Sequence, residues 1–199
     1  MKNRIVLALF SAAAFATTVM AADSVPQLDP AAAGIGERVP AFTAQAVDLT
    51  VDPPRTSTVD SSAAKRITAY IFVGVTCPAT NAYAERFKQL AQTYSPKGVD
   101  FVYLYPNRND TPEAKRDFHK SKQLGGRMID DQGGKLAQEF RAQKTSELFL
   151  ADKQGKIVYH GAADDSRDPN AVKQHYLADA LDELLTGKQI AMPASQVFA

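Results

Sequence analysis

Between residues 66 and 75 the chain reads RITAYIFVGV, an almost unbroken run of apolar, β-branched and aromatic residues. A strand covered on one face alternates apolar with polar positions. A run without alternation predicts a strand covered on both faces, at the centre of a sheet flanked by helices. The period then changes. Tyr83, Phe87, Leu90, Ala91 and Tyr94 recur at the spacing of one helical stripe, until Ser95-Pro96-Lys97-Gly98 ends it. VDFVYLYP, residues 99–106, predicts a second buried strand, and Thr111 followed by Pro112 supplies the cap and first position of a second helix. RMIDD (127–131) predicts a short strand and GGKLAQEFRAQ (133–143) a short helix with Leu136 and Phe140 four apart. SELFLADKQGKIVYHG (146–161) predicts an antiparallel hairpin turning at residues 152–155. Asn170 to Thr186 carries Leu177, Leu181, Leu184 and Leu185 at helical spacing before Gly187, a closing helix. Upstream, AFTAQAVDLTVDPPRTSTVD (41–60) alternates on either side of Pro53-Pro54, as an edge hairpin does.

The first residues follow a different logic. Lys2 and Arg4 precede the apolar run Ile5 to Met20, which ends in the small-residue pattern Val19-Met20-Ala21. This predicts a secretory signal peptide (1–21) cut after Ala21 and a periplasmic or secreted protein. The run is shorter than the roughly 20 apolar residues of a membrane span, so no membrane insertion is expected after processing. Residues 22–38 lack a sustained period and are read as a loose N-terminal arm, 39–190 as one α/β domain, and 191–199 as a C-terminal tail. With 23 basic and 22 acidic residues and no run of like charge, nothing points to nucleic acid as a partner.

Export normally brings a chain into an oxidising compartment, yet this one contains a single cysteine, Cys77. No internal disulfide can form. A leftover cysteine in an exported chain is reactive, paired with another molecule, or buried and inert. Cys77 falls where the central strand gives way to the long helix, in TCPATN (76–81). Unpaired backbone N–H groups and the positive end of the helix dipole converge at such a start, and they favour a thiolate. Pro78, at the first helical position, gives up an amide that has no intrahelical partner.

The order β, α, β, α, then β, β, α, with an inserted strand and helix and an N-terminal hairpin, is that of a thioredoxin-like fold: a central mixed sheet flanked by helices. Through ERVPAFTAQAV, FVGVTCPATNAYAERF and ELFLADKQGKIVYHGAADD, the chain resembles the redoxin or thioredoxin-like family that includes alkyl hydroperoxide reductase and thiol-specific antioxidant proteins. The nearest subgroup has a Cys-Pro-x-x-Asn turn, here Cys77, Pro78 and Asn81. The resemblance implies thiol–disulfide or peroxide chemistry at Cys77, with a thiol- or disulfide-bearing protein or small thiol as partner. Thr80 stands where thioredoxins carry the second cysteine, and its hydroxyl is expected to support the thiolate. Thr76, Pro78, Asn81 and Ser146 are expected to shape the turn and the wall facing it. Peroxiredoxins carry a threonine or serine three residues before the cysteine, whereas this chain has Gly74. Where thioredoxins place a cis-proline opposite the thiol, it reads KTSELF, which puts Ser146 there.

With neither a second cysteine nor another near the C-terminus, the chain has no thiol of its own to resolve an adduct, so an external thiol is required. The rival reading is a redox-inactive binding or scaffold module that keeps the fold without the chemistry. Full burial of the sulfur among aliphatic side chains would favour it. No cofactor is implied. His119, His160 and His175 show no ligand spacing, and DDSRDPN (164–170) lacks the glycine and closing glutamate of a Ca²⁺ loop, so no metal is expected and that loop is read as solvated.

Overall fold

The structure is a computed structural model that describes residues 34–63 and 65–197. The expected signal peptide, and the expected arm up to residue 33, lie outside the described residues. Strand β1 (Thr43–Asp48) and strand β2 (Arg55–Asp60) form the N-terminal hairpin. Strand β3 (Ile67–Phe72) leads through a short turn into helix α1 (Pro78–Tyr94), and strand β4 (Val99–Tyr105) into helix α2 (Pro112–Ser121). The insertion supplies strand β5 (Arg127–Asp130) and helix α3 (Lys135–Glu139). Strands β6 (Leu148–Ala151) and β7 (Ile157–Gly161) form the second hairpin, and helix α4 (Tyr176–Leu185) closes the fold.

All seven strands join one sheet in the order β2-β1-β5-β4-β3-β6-β7. The run β5, β4, β3 is parallel, and antiparallel strands flank it on both sides. The unbroken apolar pattern of β3 now has its reason, because all six of its residues are buried. Ile67, Ala69 and Ile71 face one core with Tyr83, Phe87 and Ala91 of α1, Phe118 of α2 and Leu177 and Leu181 of α4. Tyr70 and Phe72 face the other, with Phe140 and Phe149, Leu136 of α3, and Val39 and Phe42. Burying one of the larger of these side chains contributes roughly 1.5–3 kcal/mol, so each turn of α1 that presents an aromatic to the sheet helps fix the junction at its start.

Three local expectations change. The closing helix begins at Tyr176 rather than Asn170. Pro169–Ala171 instead makes a tight 3₁₀ turn in which the Asp168 carboxylate accepts from the Asn170 N–H, and Val172 is extended. Helix α3 spans only Lys135–Glu139, because Arg141 takes a left-handed φ of 58° that ends the helical path. The 164–170 loop is not uniformly solvated. Asp164 is buried and paired with Arg86 of α1 at 2.6 Å, tying the loop to that helix.

The described parts of the expected arm and tail both run along β7. Gly36 and Glu37 exchange backbone hydrogen bonds with Ile157, while Pro193 and Ser195 bracket His160. Among the described residues no helix is long and apolar enough to cross a membrane.

Candidate active site

Cys77 is the N-cap of α1, with extended backbone (φ −73°, ψ 122°), and Pro78 follows it in the first turn. Extended geometry at the cap turns the chain out of the strand direction, while the proline sets the φ that the first helical turn needs. Cys77 is partly exposed rather than fully buried among aliphatic side chains. Asn81, exposed in the first turn, donates from Nδ2 to the carbonyls of Val75 (3.2 Å) and Cys77 (3.1 Å), so it ties down the loop carrying the cysteine. Thr76 and Pro78 are exposed beside it.

The group that touches the sulfur is one that sequence reasoning missed. The Thr145 hydroxyl, from the loop between α3 and β6, donates to Cys77 Sγ at 2.8 Å. Room for it exists because residue 74 is glycine. A Cβ there would lie 3.2 Å from Thr145 Cγ2 and 3.5 Å from Cys77 Cβ. The hydroxyl that the family resemblance leads one to seek three residues before the cysteine arrives instead from across the fold.

Thr80 lies beneath the turn, fully buried. Its hydroxyl accepts from the Gly74 N–H (3.2 Å) and from the Ser146 hydroxyl (3.3 Å). Ser146 is therefore behind the site, not on its open wall, and Thr145 takes the facing position. Ser146 has a left-handed φ of 70° and donates its N–H to Phe72 O at 2.6 Å, next to the reciprocal bond from Phe72 N–H to Glu147 O. A β-substituted residue in that conformation costs on the order of 1 kcal/mol, which these bonds offset.

Partial burial pushes the Cys77 thiol up. The Thr145 hydroxyl, the Thr80 N–H, the Thr80 hydroxyl and the Ala79 N–H together outweigh it and hold the thiol below its ordinary value. A second overlooked residue is Asp110, whose buried carboxylate accepts from the Val75 N–H at 3.0 Å and anchors the loop before the cysteine. No periodic pattern announces either partner. Thr145 and Asp110 contact the turn only through chain reversal, 68 and 35 residues away.

Behind Thr145 sits a pair of ionisable groups. Glu147 is 5% exposed, and its Oε1 lies 2.6 Å from His160 Nε2. The His160 ring stacks on Phe149 at 4.0 Å. Both residues line a cavity of about 620 Å³ whose walls include Arg38, Phe140 and Lys144. The three histidines are far apart in role: His119 is buried in the core, His160 is in this pair, and His175 stands at the N-cap position of α4 without a side-chain capping bond.

A family model described as Redoxin matches residues 35–175. No curated protein sequence matches the chain. Among solved structures it is similar to an uncharacterised conserved protein from Geobacillus kaustophilus, at 25% identity and a TM-score of 0.70, over 81% of this chain and 87% of that one. It is similar in fold to AhpC of Mycobacterium bovis (18% identity, TM-score 0.56, 84% and 98% covered). The same holds for a secreted disulfide oxidoreductase of Mycobacterium tuberculosis (19% identity, TM-score 0.50, 73% and 92% covered).

Proposed function

The chain belongs to the Redoxin family, and from that premise we propose that Cys77 is the working thiol of an exported thiol–disulfide oxidoreductase that relies on an external thiol for release. The observation that carries the reading is the 2.8 Å hydrogen bond from Thr145 to the sulfur of a partly exposed cysteine at a helix start. A buried, inert cysteine gains nothing from such a donor, whereas a thiolate gains a charge-assisted bond. The Ala79 and Thr80 N–H groups add to it.

In the exchange, the Cys77 thiolate attacks one sulfur of a partner disulfide. The partner's S–S bond breaks, its other sulfur leaves as a thiolate that takes up a proton, and a mixed disulfide remains on Cys77. Release needs a second thiolate to attack that bond. The side chains beside the sulfur are those of Thr145 and Thr80, whose hydroxyls are far too weak as acids for the role. The adduct therefore persists until a free thiol or a partner protein removes it, returning Cys77 to the reduced form. A one-cysteine peroxidase follows the same logic. Peroxide oxidises the thiolate to a sulfenic acid with loss of water or alcohol, and two equivalents of external thiol restore it, yielding water and a disulfide. The Lys2 and Arg4 charges and the apolar run before Ala21 support export. Edman sequencing of the mature protein should begin at or near Ala22.

The test is chemical. Oxidised glutathione should form a stable adduct on the wild type and none on Cys77→Ser, and added thiol should release it. Hydrogen peroxide in place of the disulfide distinguishes the peroxidase route. Failure of the wild type to form an adduct with either oxidant supports the redox-inactive binding module.

A further inference from the structure

The loop that carries Thr145 does not hold its own shape by packing alone. Residues 143–147 leave the short helix α3, pass the cysteine and enter β6, and one residue of the loop is in a left-handed conformation without being glycine. A single side chain gathers the segment. Glu147 Oε2 accepts from the backbone N–H groups of Gln143 (2.8 Å) and Lys144 (2.9 Å), the two residues immediately before Thr145, while its Oε1 is held by His160 Nε2. The carboxylate thus closes a ring of hydrogen bonds around the backbone that presents the Thr145 hydroxyl. Burial pushes the Glu147 carboxyl up, but His160 and the two N–H groups more than reverse this and hold it below its ordinary value. The His160 ring is fixed flat against Phe149, and its backbone donates to the Pro193 carbonyl and accepts from the Ser195 N–H.

We propose that Glu147, braced by His160, is a positioning residue for the thiol, because it holds the 143–147 loop in the shape that sets the Thr145 hydroxyl on the Cys77 sulfur. The inference rests on reading Cys77 as the working thiol. It makes a prediction opposite in sign to simple electrostatics. Removing a negative charge near the site would, by Coulomb attraction and repulsion alone, favour the thiolate and speed its reactions. Loss of positioning removes the donor and slows them.

The experiment measures the rate of iodoacetamide alkylation of Cys77 against pH in the folded full-length protein. The variants are Glu147→Gln, His160→Gln, Thr145→Val and the double variant Glu147→Gln with Thr145→Val. Glu147→Gln and Thr145→Val should each slow alkylation near pH 7 by roughly three- to ten-fold, the worth of one hydrogen bond, and move the midpoint of the pH profile upward. The double variant should be no slower than Thr145→Val alone, since both act through one hydroxyl. A faster or unchanged rate in Glu147→Gln, or effects that multiply in the double variant, would overturn the proposal. If Glu147→Gln does not fold, as judged by a lost cooperative melt, His160→Gln takes its place in the same cycle with the same expected sign and the same overturning results. A wild-type rate no greater than that of free cysteine removes the thiol reading together with the brace. A fast wild type with unaffected Glu147 and His160 variants removes the brace alone.

Discussion

His119 should make this protein lose stability in mild acid. The side chain is 1% exposed on α2, its Nδ1 lies 3.1 Å from the Tyr105 hydroxyl, its ring meets the Tyr103 ring edge-on at 5.2 Å, and its Nε2 makes no hydrogen bond of good geometry. Burial disfavours the imidazolium and lowers its pKa from 6.5 to about 4, although backbone interactions with Gly126 and Leu124 oppose the shift. In the unfolded chain the same ring takes up its proton near the ordinary value of about 6.5. As the pH falls through that value the unfolded state binds protons and the folded state does not, so acid favours unfolding. The stabilisation is fully present above about pH 6.5, declines towards pH 4, and is lost below it. At about 1.4 kcal/mol per pH unit, the gap is worth roughly 3 kcal/mol. The assay is urea unfolding followed by circular dichroism at several pH values from 7.5 down to 4, on wild type and His119→Gln. The amide stays neutral and can accept from Tyr105, so the variant should start somewhat less stable at pH 7.5 and lose less on acidification. The difference between the two proteins should shrink or reverse by about 3 kcal/mol over this range. Parallel curves for the two proteins would refute the assignment of a buried neutral imidazole.

Thr80→Cys should turn slow, thiol-dependent release of a glutathione adduct into rapid self-release, read by mass spectrometry after a disulfide pulse, because a thiol would then stand where exchange needs one. Gly161→Ala should lower stability by about 1–3 kcal/mol, read as a fall in melting temperature, because the new Cβ would collide with the Ser195 side chain and lie 2.8 Å from both the Ser195 carbonyl and the Tyr159 hydroxyl. Asp164→Asn should destabilise by roughly 3 kcal/mol in denaturant titrations at neutral pH, since it leaves the Arg86 guanidinium, also 4.1 Å from the Tyr83 ring, largely buried without its counter-charge.

The fold was legible wherever burial imposes a period. The unbroken run of β3, the stripe of α1 and the capped start of α2 at Thr111 each translate a local rule into an element, and Thr111 does accept from the Ala114 N–H as such a cap should. Boundaries failed where side chains compete with the helix. The Asp168 carboxylate takes the Asn170 N–H and delays α4 to Tyr176, and Arg141 cuts α3 short. Half of the candidate site was legible for the same reason. Cys77, Pro78 and Asn81 belong to a strand-to-helix junction, which is a local event. Thr145, Glu147, His160 and Asp110 reach that junction by tertiary contact, and nothing in hydrophobic spacing records which polar residue of a distant loop will face a given sulfur. Reading KTSELF placed Ser146 against the thiol. Its left-handed backbone turns that side chain inward and leaves the preceding threonine outward, a one-residue error that only the dihedral angle reveals.

The way β7 is finished bears on how this protein avoids its neighbours. An outermost strand offers a row of unpaired amides and carbonyls to any other chain with an edge of its own. Here the two rims of the sheet are guarded by different means. The β2 rim, RTSTVD, is polar and mostly exposed, and relies on its poor appetite for company. The β7 rim is richer in apolar residues and is sheathed instead. Gly36 and Glu37 occupy the backbone groups of Ile157, and Pro193 and Ser195 those of His160, so two stretches from opposite ends of the described chain meet along one strand. Removing residues 193–197 would bare the half of that rim nearest His160 and loosen the support of its ring at the same stroke. Such a truncated protein should drift towards self-association at concentrations where the intact chain stays dispersed, with light scattering rising before any loss of helix signal. Colloidal behaviour and the posture of the thiol loop would then share a single seam.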